Sequence, residues 1–124
     1  MTNNFIQKGD IVDYKNGGES AINYGDIVVG TDKIFIAAEN IAVGATGGVH
    51  AEGVFELTTS DTSAITFGEK MYYDATNDGV TADATVTTGT GNDAVTTNNI
   101  FVGYAVNDVA SSASGTKKVL VKLA

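Results

Sequence analysis

The sequence predicts an all-β fold, a small antiparallel β-sandwich or barrel with glycine-rich turns, a long polar loop and little helix. Three observations carry this. Apolar residues alternate with a period of two, strand-like runs recur about every ten residues between glycine and asparagine turn signals, and no window holds a sustained i, i+3, i+4, i+7 apolar stripe. The chain has 124 residues with 15 glycines and no proline, cysteine or tryptophan. A chain of this length buries roughly 65–70% of its unfolded surface, enough for one core. Residues 10–124 therefore read as a single β-domain, with 1–9 as an N-terminal arm or a first edge strand.

Taken in order, Asp10-Ile11-Val12-Asp13-Tyr14 is the first strong strand. Asn16-Gly17-Gly18 follows it and suits the positive φ angles of a tight hairpin turn. Asp26-Ile27-Val28-Val29 and Lys33-Ile34-Phe35-Ile36-Ala37-Ala38 are short β-branched runs bounded by turn residues. In Val54-Phe55-Glu56-Leu57-Thr58 the alternation points Phe55 and Leu57 inward and Glu56 and Thr58 outward. Thr58-Thr59-Ser60-Asp61-Thr62-Ser63 reads as a polar loop. Asn77-Asp78-Gly79 forms a turn between Met71-Tyr72-Tyr73-Asp74 and Val80-Thr81. Segment 85–99 is rich in Thr, Gly and Asn and reads as a long exposed loop in preference to a protruding hairpin. Ile100-Phe101-Val102-Gly103-Tyr104-Ala105-Val106 has strand length. The last strand is Val119-Leu120-Val121-Lys122-Leu123, with Val119, Val121 and Leu123 on one face and Lys118 and Lys122 on the other. Without proline, edge strands must rely on charge, shortness or a partner.

Charge and composition exclude several functions. Fifteen acids face seven basic residues, for a net charge of −8, and all the basic residues are lysine. Such a chain repels nucleic acid and lacks the guanidinium fork that grips phosphate. The missing cysteines remove disulfides, thiol nucleophiles and Cys-based zinc sites. The opening Met1-Thr2-Asn3-Asn4-Phe5-Ile6-Gln7-Lys8 has neither the basic nor the apolar region of a signal peptide. No apolar run approaches the ~20 residues of a membrane helix. The expectation is a protein made in a cytoplasm, with no membrane, nucleic-acid or small-molecule partner.

Motifs for chemistry are weak. His50 is the only histidine and has no G-x-S-x-G elbow beside it, so it reads as an ordinary strand or loop residue. Asp74-Ala75-Thr76-Asn77-Asp78-Gly79 begins like a calcium loop, but Thr76 and Thr85 occupy positions that need an acid or amide and a bidentate glutamate. Gly89-Thr90-Gly91-Asn92-Asp93-Ala94 is one copy of a motif that binds metal only between stacked copies. No G-x-x-x-x-G-K-[ST] occurs, since Glu69 precedes Lys70 and Thr116 precedes Lys117. The expectation is no catalytic residue, no metal site and no cofactor.

The order of the motifs is more telling. Asn4-Phe5-Ile6-Gln7-Lys8-Gly9-Asp10-Ile11-Val12 is followed by Gly25-Asp26-Ile27-Val28-Val29, then Gly53-Val54-Phe55-Glu56-Leu57. Gly68-Glu69-Lys70-Met71-Tyr72-Tyr73-Asp74 with Gly79-Val80-Thr81, Val102-Gly103-Tyr104-Ala105 and the terminal Val119-Leu120-Val121-Lys122-Leu123 complete the series. Over nearly its whole length this resembles the tailed-phage capsid decoration, or cement, proteins of the DUF2190 family. Tyr73 stands where that family usually has tryptophan, and 85–99 is longer than its usual connection. Members have also been labelled recombinase-like, which the missing phosphate loop argues against.

The resemblance implies a structural virion protein on the outer surface of a phage head, stabilising it after expansion, as a homotrimer bound to the major capsid protein. The candidate capsid contacts are Asn3, Asn4, Phe5, Ile6 and Gln7 in the arm, which can equally be a first strand of the domain. Thr90, Asn92 and Asp93 in the exposed loop are a second candidate contact. The rival readings are another small virion part (connector, tail tube or fibre tip) and a carbohydrate-binding surface module. Tyr14, Tyr24, Tyr72 and Tyr104 would serve the last, although most of them sit in strand patterns that predict burial.

Overall fold

The computed structural model describes residues 9–112 and 116–124. Among these residues eleven strands follow one another: β1 (Ile11–Lys15), β2 (Ile27–Val29), β3 (Ile34–Ala37), β4 (Thr46–His50), β5 (Gly53–Thr59) and β6 (Lys70–Asp74). The series continues with β7 (Gly79–Thr81), β8 (Thr85–Thr88), β9 (Val95–Asn98), β10 (Phe101–Ala105) and β11 (Lys117–Leu123). A single 3₁₀ turn, Gly91–Asp93, joins β8 to β9. The chain is all-β, as its period of two requires. It clusters into two compact units, one taking the described residues up to Val28 with Phe35–Gly53, the other Val29–Ile34 with the described residues from Val54 onward.

The first unit is built on a four-stranded sheet in the order β1-β4-β3-β2. Strand β1 runs antiparallel to β4, from Ile11 opposite His50 to Lys15 opposite Thr46. It therefore does not fold back onto the next strand in sequence. The expected hairpin turn at Asn16-Gly17-Gly18 is corrected, because neither Gly17 nor Gly18 has a positive φ. The physical reason is Asn16, which is buried at 2% exposure. Its amide nitrogen donates to the carbonyls of Ser20 (2.9 Å) and Ile41 (3.1 Å), and its amide oxygen accepts from the Gly18 N–H (3.0 Å). The asparagine is an anchor inside the unit and satisfies its polar atoms there. Val28, Ala37, Ile41 and Val49 form the core, with Val12, Tyr14, Ile22 and Phe35 packed against them. Strand β4 carries Gly47 opposite Tyr14. A Cβ on Gly47 would lie 2.6 Å from Ile41 Cγ1, so the missing side chain makes room for the core.

The second unit contains a closed barrel in the order β10-β11-β5-β7-β6. In β11 the expected alternation holds: Val119, Val121 and Leu123 are buried while Lys118 and Lys122 are exposed. Leu57 of β5 is buried and Glu56 exposed, again as expected. The polar loop expected over 58–63 is corrected at its start, since β5 continues through Thr59, which is buried at 1% exposure. Thr59 pairs in parallel with Val80 of β7, and this short contact completes the ring. Just beyond, the Asp61 carboxylate accepts from Thr81 Oγ1 and from the Ala82 N–H, both at 2.8 Å. Met71, Val80, Val102, Ala105, Val119 and Val121 supply fully buried side chains of this unit. Closure leaves these strands without a free edge.

Segment 85–99 is exposed, as expected, but it is not a loop. Strands β8 and β9 pair antiparallel, from Thr85 opposite Asn98 to Thr88 opposite Val95, and form a two-stranded ribbon. The β-branched threonines favour the extended backbone, and Gly89 (φ 85°) and Gly91 (φ 60°) allow the reversal.

The ring depends on backbone meeting backbone at Gly103, where any Cβ would run into the carbonyl of Lys122. Gly103→Ala is expected to cost about 3 kcal/mol or more, the upper end of overpacking, because no flexible side chain can yield there. Gly17→Ala, which points into open space, is expected to stay within about 0.5 kcal/mol. Denaturant unfolding midpoints of the two variants check this.

Candidate functional site

The ribbon is the segment most available to a partner. Every residue from Thr85 to Asn98 is exposed except Val86, which is partly covered. Thr90, Asn92 and Asp93 come together at its tip, where the Asp93 N–H donates to the Thr90 carbonyl at 3.2 Å and the Ala94 N–H to Gly91 at 3.3 Å. A Cβ on Gly89 would lie 2.9 Å from the Asp93 carbonyl, so glycine is required for the tip to close. At the base, the Asn99 N–H donates to the Ala84 carbonyl (2.8 Å) and its side-chain amide to the Asp83 carbonyl (3.0 Å). One face carries the hydroxyl pair Thr87 and Thr96 at 2.8 Å. The register puts Val86, Thr88, Val95 and Thr97 on the other face. Asp93 is the only ionisable residue of the ribbon. A two-stranded ribbon is marginal by itself, and neither strand carries the lysine, proline or bulge that usually blocks an edge. Chemically it offers neutral hydroxyls and backbone groups suited to strand addition.

The arm residues Asn3, Asn4, Phe5, Ile6 and Gln7 lie outside the described residues.

Near the ribbon's base a cleft of about 230 Å³ is lined by residues including Asp61, Asp74, Asn77, Thr81 and Asp83. This is below the ~300–1,000 Å³ of typical small-molecule sites. Two of its carboxylates, Asp74 and Asp61, are engaged in hydrogen bonds to turn and strand groups. Asp74 accepts from the Thr76 N–H (3.1 Å), the Asn77 N–H (3.3 Å) and the Asn77 side-chain amide (2.8 Å). Asp61 holds Thr81 and Ala82, as described above. The segment 74–79 is thus the turn that the sequence suggests, with Asp78 at φ 49°. Among the described residues no group of three or more His, Asp or Glu is placed to hold a metal ion. His50 closes β4, half-buried, opposite Ile11 and Ile36.

Tyr14 and Tyr72 are half-buried, Tyr24, outside the strand patterns, is 72% exposed, and Tyr104 is 42% exposed, which corrects the burial expected of it from its strand. Phe67, at 70% exposure, is an exposed aromatic that the sequence did not single out. It precedes Gly68 (φ 87°) in a turn pinned by its own N–H to Asp108 Oδ1 at 2.8 Å.

A family model described as phage cement protein matches residues 6–123, a span that takes in all eleven strands. The chain belongs to the phage cement protein family. Neither the curated proteins nor the solved structures gave a match. Membership in the cement family gives the chain a structural, capsid-stabilising role and a place on the capsid of a phage virion. It also bears out the resemblance read from the order of the strand motifs.

Within this cement fold Tyr73 does more than fill space, since its hydroxyl donates to Asp78 Oδ1 at 3.0 Å across the β6–β7 turn. Burial, that hydrogen bond and the charges of Asp78 and Asp74 together push the phenol up from 10.0 to about 12. The folded state holds this proton more tightly than the unfolded chain does. The contribution is therefore intact below about pH 10 and is lost as pH rises towards 12. Thermal melts across this window are expected to show Tyr73→Phe losing less stability than the wild type as pH rises. At neutral pH the same change is expected to cost under about 1 kcal/mol, because the hydrogen bond is exposed.

Proposed function

We propose that this chain binds the outer surface of an expanded tailed-phage head, as a homotrimer, and reinforces the shell in many copies with no reaction of its own. The family match over 6–123 is the observation that carries the reading. The proposed contacts on the major capsid protein are the arm residues Asn3, Asn4, Phe5, Ile6 and Gln7 and the ribbon tip Thr90, Asn92 and Asp93. The tip's exposure and near neutrality support its part. A surface with one carboxylate can approach another protein without the repulsion that a −8 chain otherwise carries. The ribbon's open edges suit strand addition, and an arm can order on a capsid strand in the same manner. Several weak contacts per trimer give avidity, so no single one need be strong. On this reading the protein is made in the bacterial host's cytoplasm and needs no cofactor, nucleic acid, membrane or small molecule.

Binding to heads that lack this polypeptide tests the contacts. Deleting 2–7, or combining Thr90→Ala, Asn92→Ala and Asp93→Ala, is expected to weaken binding by about tenfold or more while the circular dichroism spectrum stays unchanged. Full binding by both folded variants would discard these contacts. A gel of purified virions separates the reading from its rivals, because reinforcement requires a copy number approaching that of the major capsid protein. A ring of about a dozen copies would mark a connector instead.

A further inference from the structure

The outer face of β6, β10 and β11 is unusual for the exterior of a barrel. With Met71, Val102, Ala105, Val119, Val121 and Leu123 turned inward and buried, the alternate positions face out. A bulge between Phe101 and Gly103 resets the alternation in β10, so Phe101 and Tyr104, three residues apart, share the outer side. Their rings meet edge to face at 5.4 Å, and Phe101 meets Tyr72 at 5.6 Å. Three aromatic rings therefore form a continuous stripe where a solvated face is normally polar, and such a patch marks an interaction surface.

The charges around the stripe are ordered. Tyr104 lies opposite Lys70 on one side and Lys122 on the other, so two exposed lysines flank it in one row across the three strands. Along β6 the outward series is Lys70, Tyr72, Asp74: a cation, a ring, an anion. About 13 Å separates the two charged positions at strand rise. The Asp74 carboxylate, which caps the β6–β7 turn, makes this the acidic end. Such a face complements itself. When a second copy is turned by 180° about an axis near Tyr72 and Phe101, its acidic end meets the lysine row and the rings meet rings. A twofold contact makes each such pairing twice.

We propose that this face pairs with the same face of a second copy of the chain about a twofold axis. The surface and its charge order are properties of the chain alone. Only the use of the pairing, to link neighbouring copies on a head, rests on the reading given above. The lysine row explains how a −8 polypeptide can approach itself, since three of its seven basic residues, Lys70, Lys118 and Lys122, are exposed on the outward positions of β6 and β11.

The absence of cysteine makes the test clean. A residue near a twofold axis meets its own copy, so full-length Tyr72→Cys treated with diamide is expected to form a covalent dimer about tenfold faster than Glu56→Cys, an exposed control on β5. In light scattering at micromolar concentration, Tyr104→Glu is expected to halve the wild-type mass, from paired trimers to single ones, with an unchanged circular dichroism spectrum. Equal crosslinking of the two cysteine variants, or an unaltered mass for folded Tyr104→Glu, overturns the pairing. Binding to heads is scored separately, so loss of the pairing and loss of the capsid role give different results.

Discussion

A proline-free chain of short strands has to satisfy its sheet edges by pairing, and closure of the barrel is where that requirement falls hardest. The ring is completed by a single parallel step, Thr59 against Val80. That step is possible only because Gly79 brings no Cβ into the Thr58 carbonyl. The same holds where β10 crosses β11, with Gly103 against the Lys122 carbonyl. Two glycines without positive φ are thus held by close approach of backbones, not by turn conformation. With the edges joined, the buried set from Leu57 to Leu123 faces one interior, and Asp61 ties the far end by binding Thr81 and Ala82.

Alternation made β5 and β11 legible, because each has one dry face and one wet face and the side chains say which. Asn77-Asp78-Gly79 was equally legible, since positive φ at Asp78 is a local property. The failures are all places where tertiary context decides. Strand β4 reads Thr-Gly-Gly-Val-His, which has no alternation to mark it, yet it lies between β1 and β3, and the missing side chain of Gly47 leaves room for Ile41. Asn16-Gly17-Gly18 looks like a hairpin, yet the asparagine is bonded to Ile41, 25 positions away, which no local rule can anticipate. The ribbon was hidden for the opposite reason: with no buried face, β8 and β9 have no hydrophobic period to read, only threonines with a preference for extended backbone.

The candidate sites were less legible than the fold. Family membership could be read from the order of six weak strand motifs, since order across a whole chain carries information that no single strand does. The tip residues Thr90, Asn92 and Asp93 were named for their composition, and the ribbon supplies the geometry that brings them together. The aromatic face escaped notice because Ile100 to Val106 is an unbroken apolar run, which reads as a strand buried on both sides. A bulge redirects Phe101, and Tyr104 faces outward beside two lysines, so apolarity in the sequence became exposure in the fold.

These features divide the chain's work in a way that suits a cement protein. Residues that close the barrel are glycine and aliphatic, and they tolerate little change because backbone and core leave no slack. Apart from Gly89, whose missing side chain lets the tip close, residues on the ribbon and Tyr104 of the stripe are largely exposed, so they can be altered with little effect on the fold. A reinforcing protein needs this separation, since its contacts must be weak enough individually to assemble in order and numerous enough to resist force together. Acidic charge over the rest of the surface works in the same direction. It discourages contact except where lysines or neutral threonines interrupt it, as they do beside the aromatic stripe and on the ribbon.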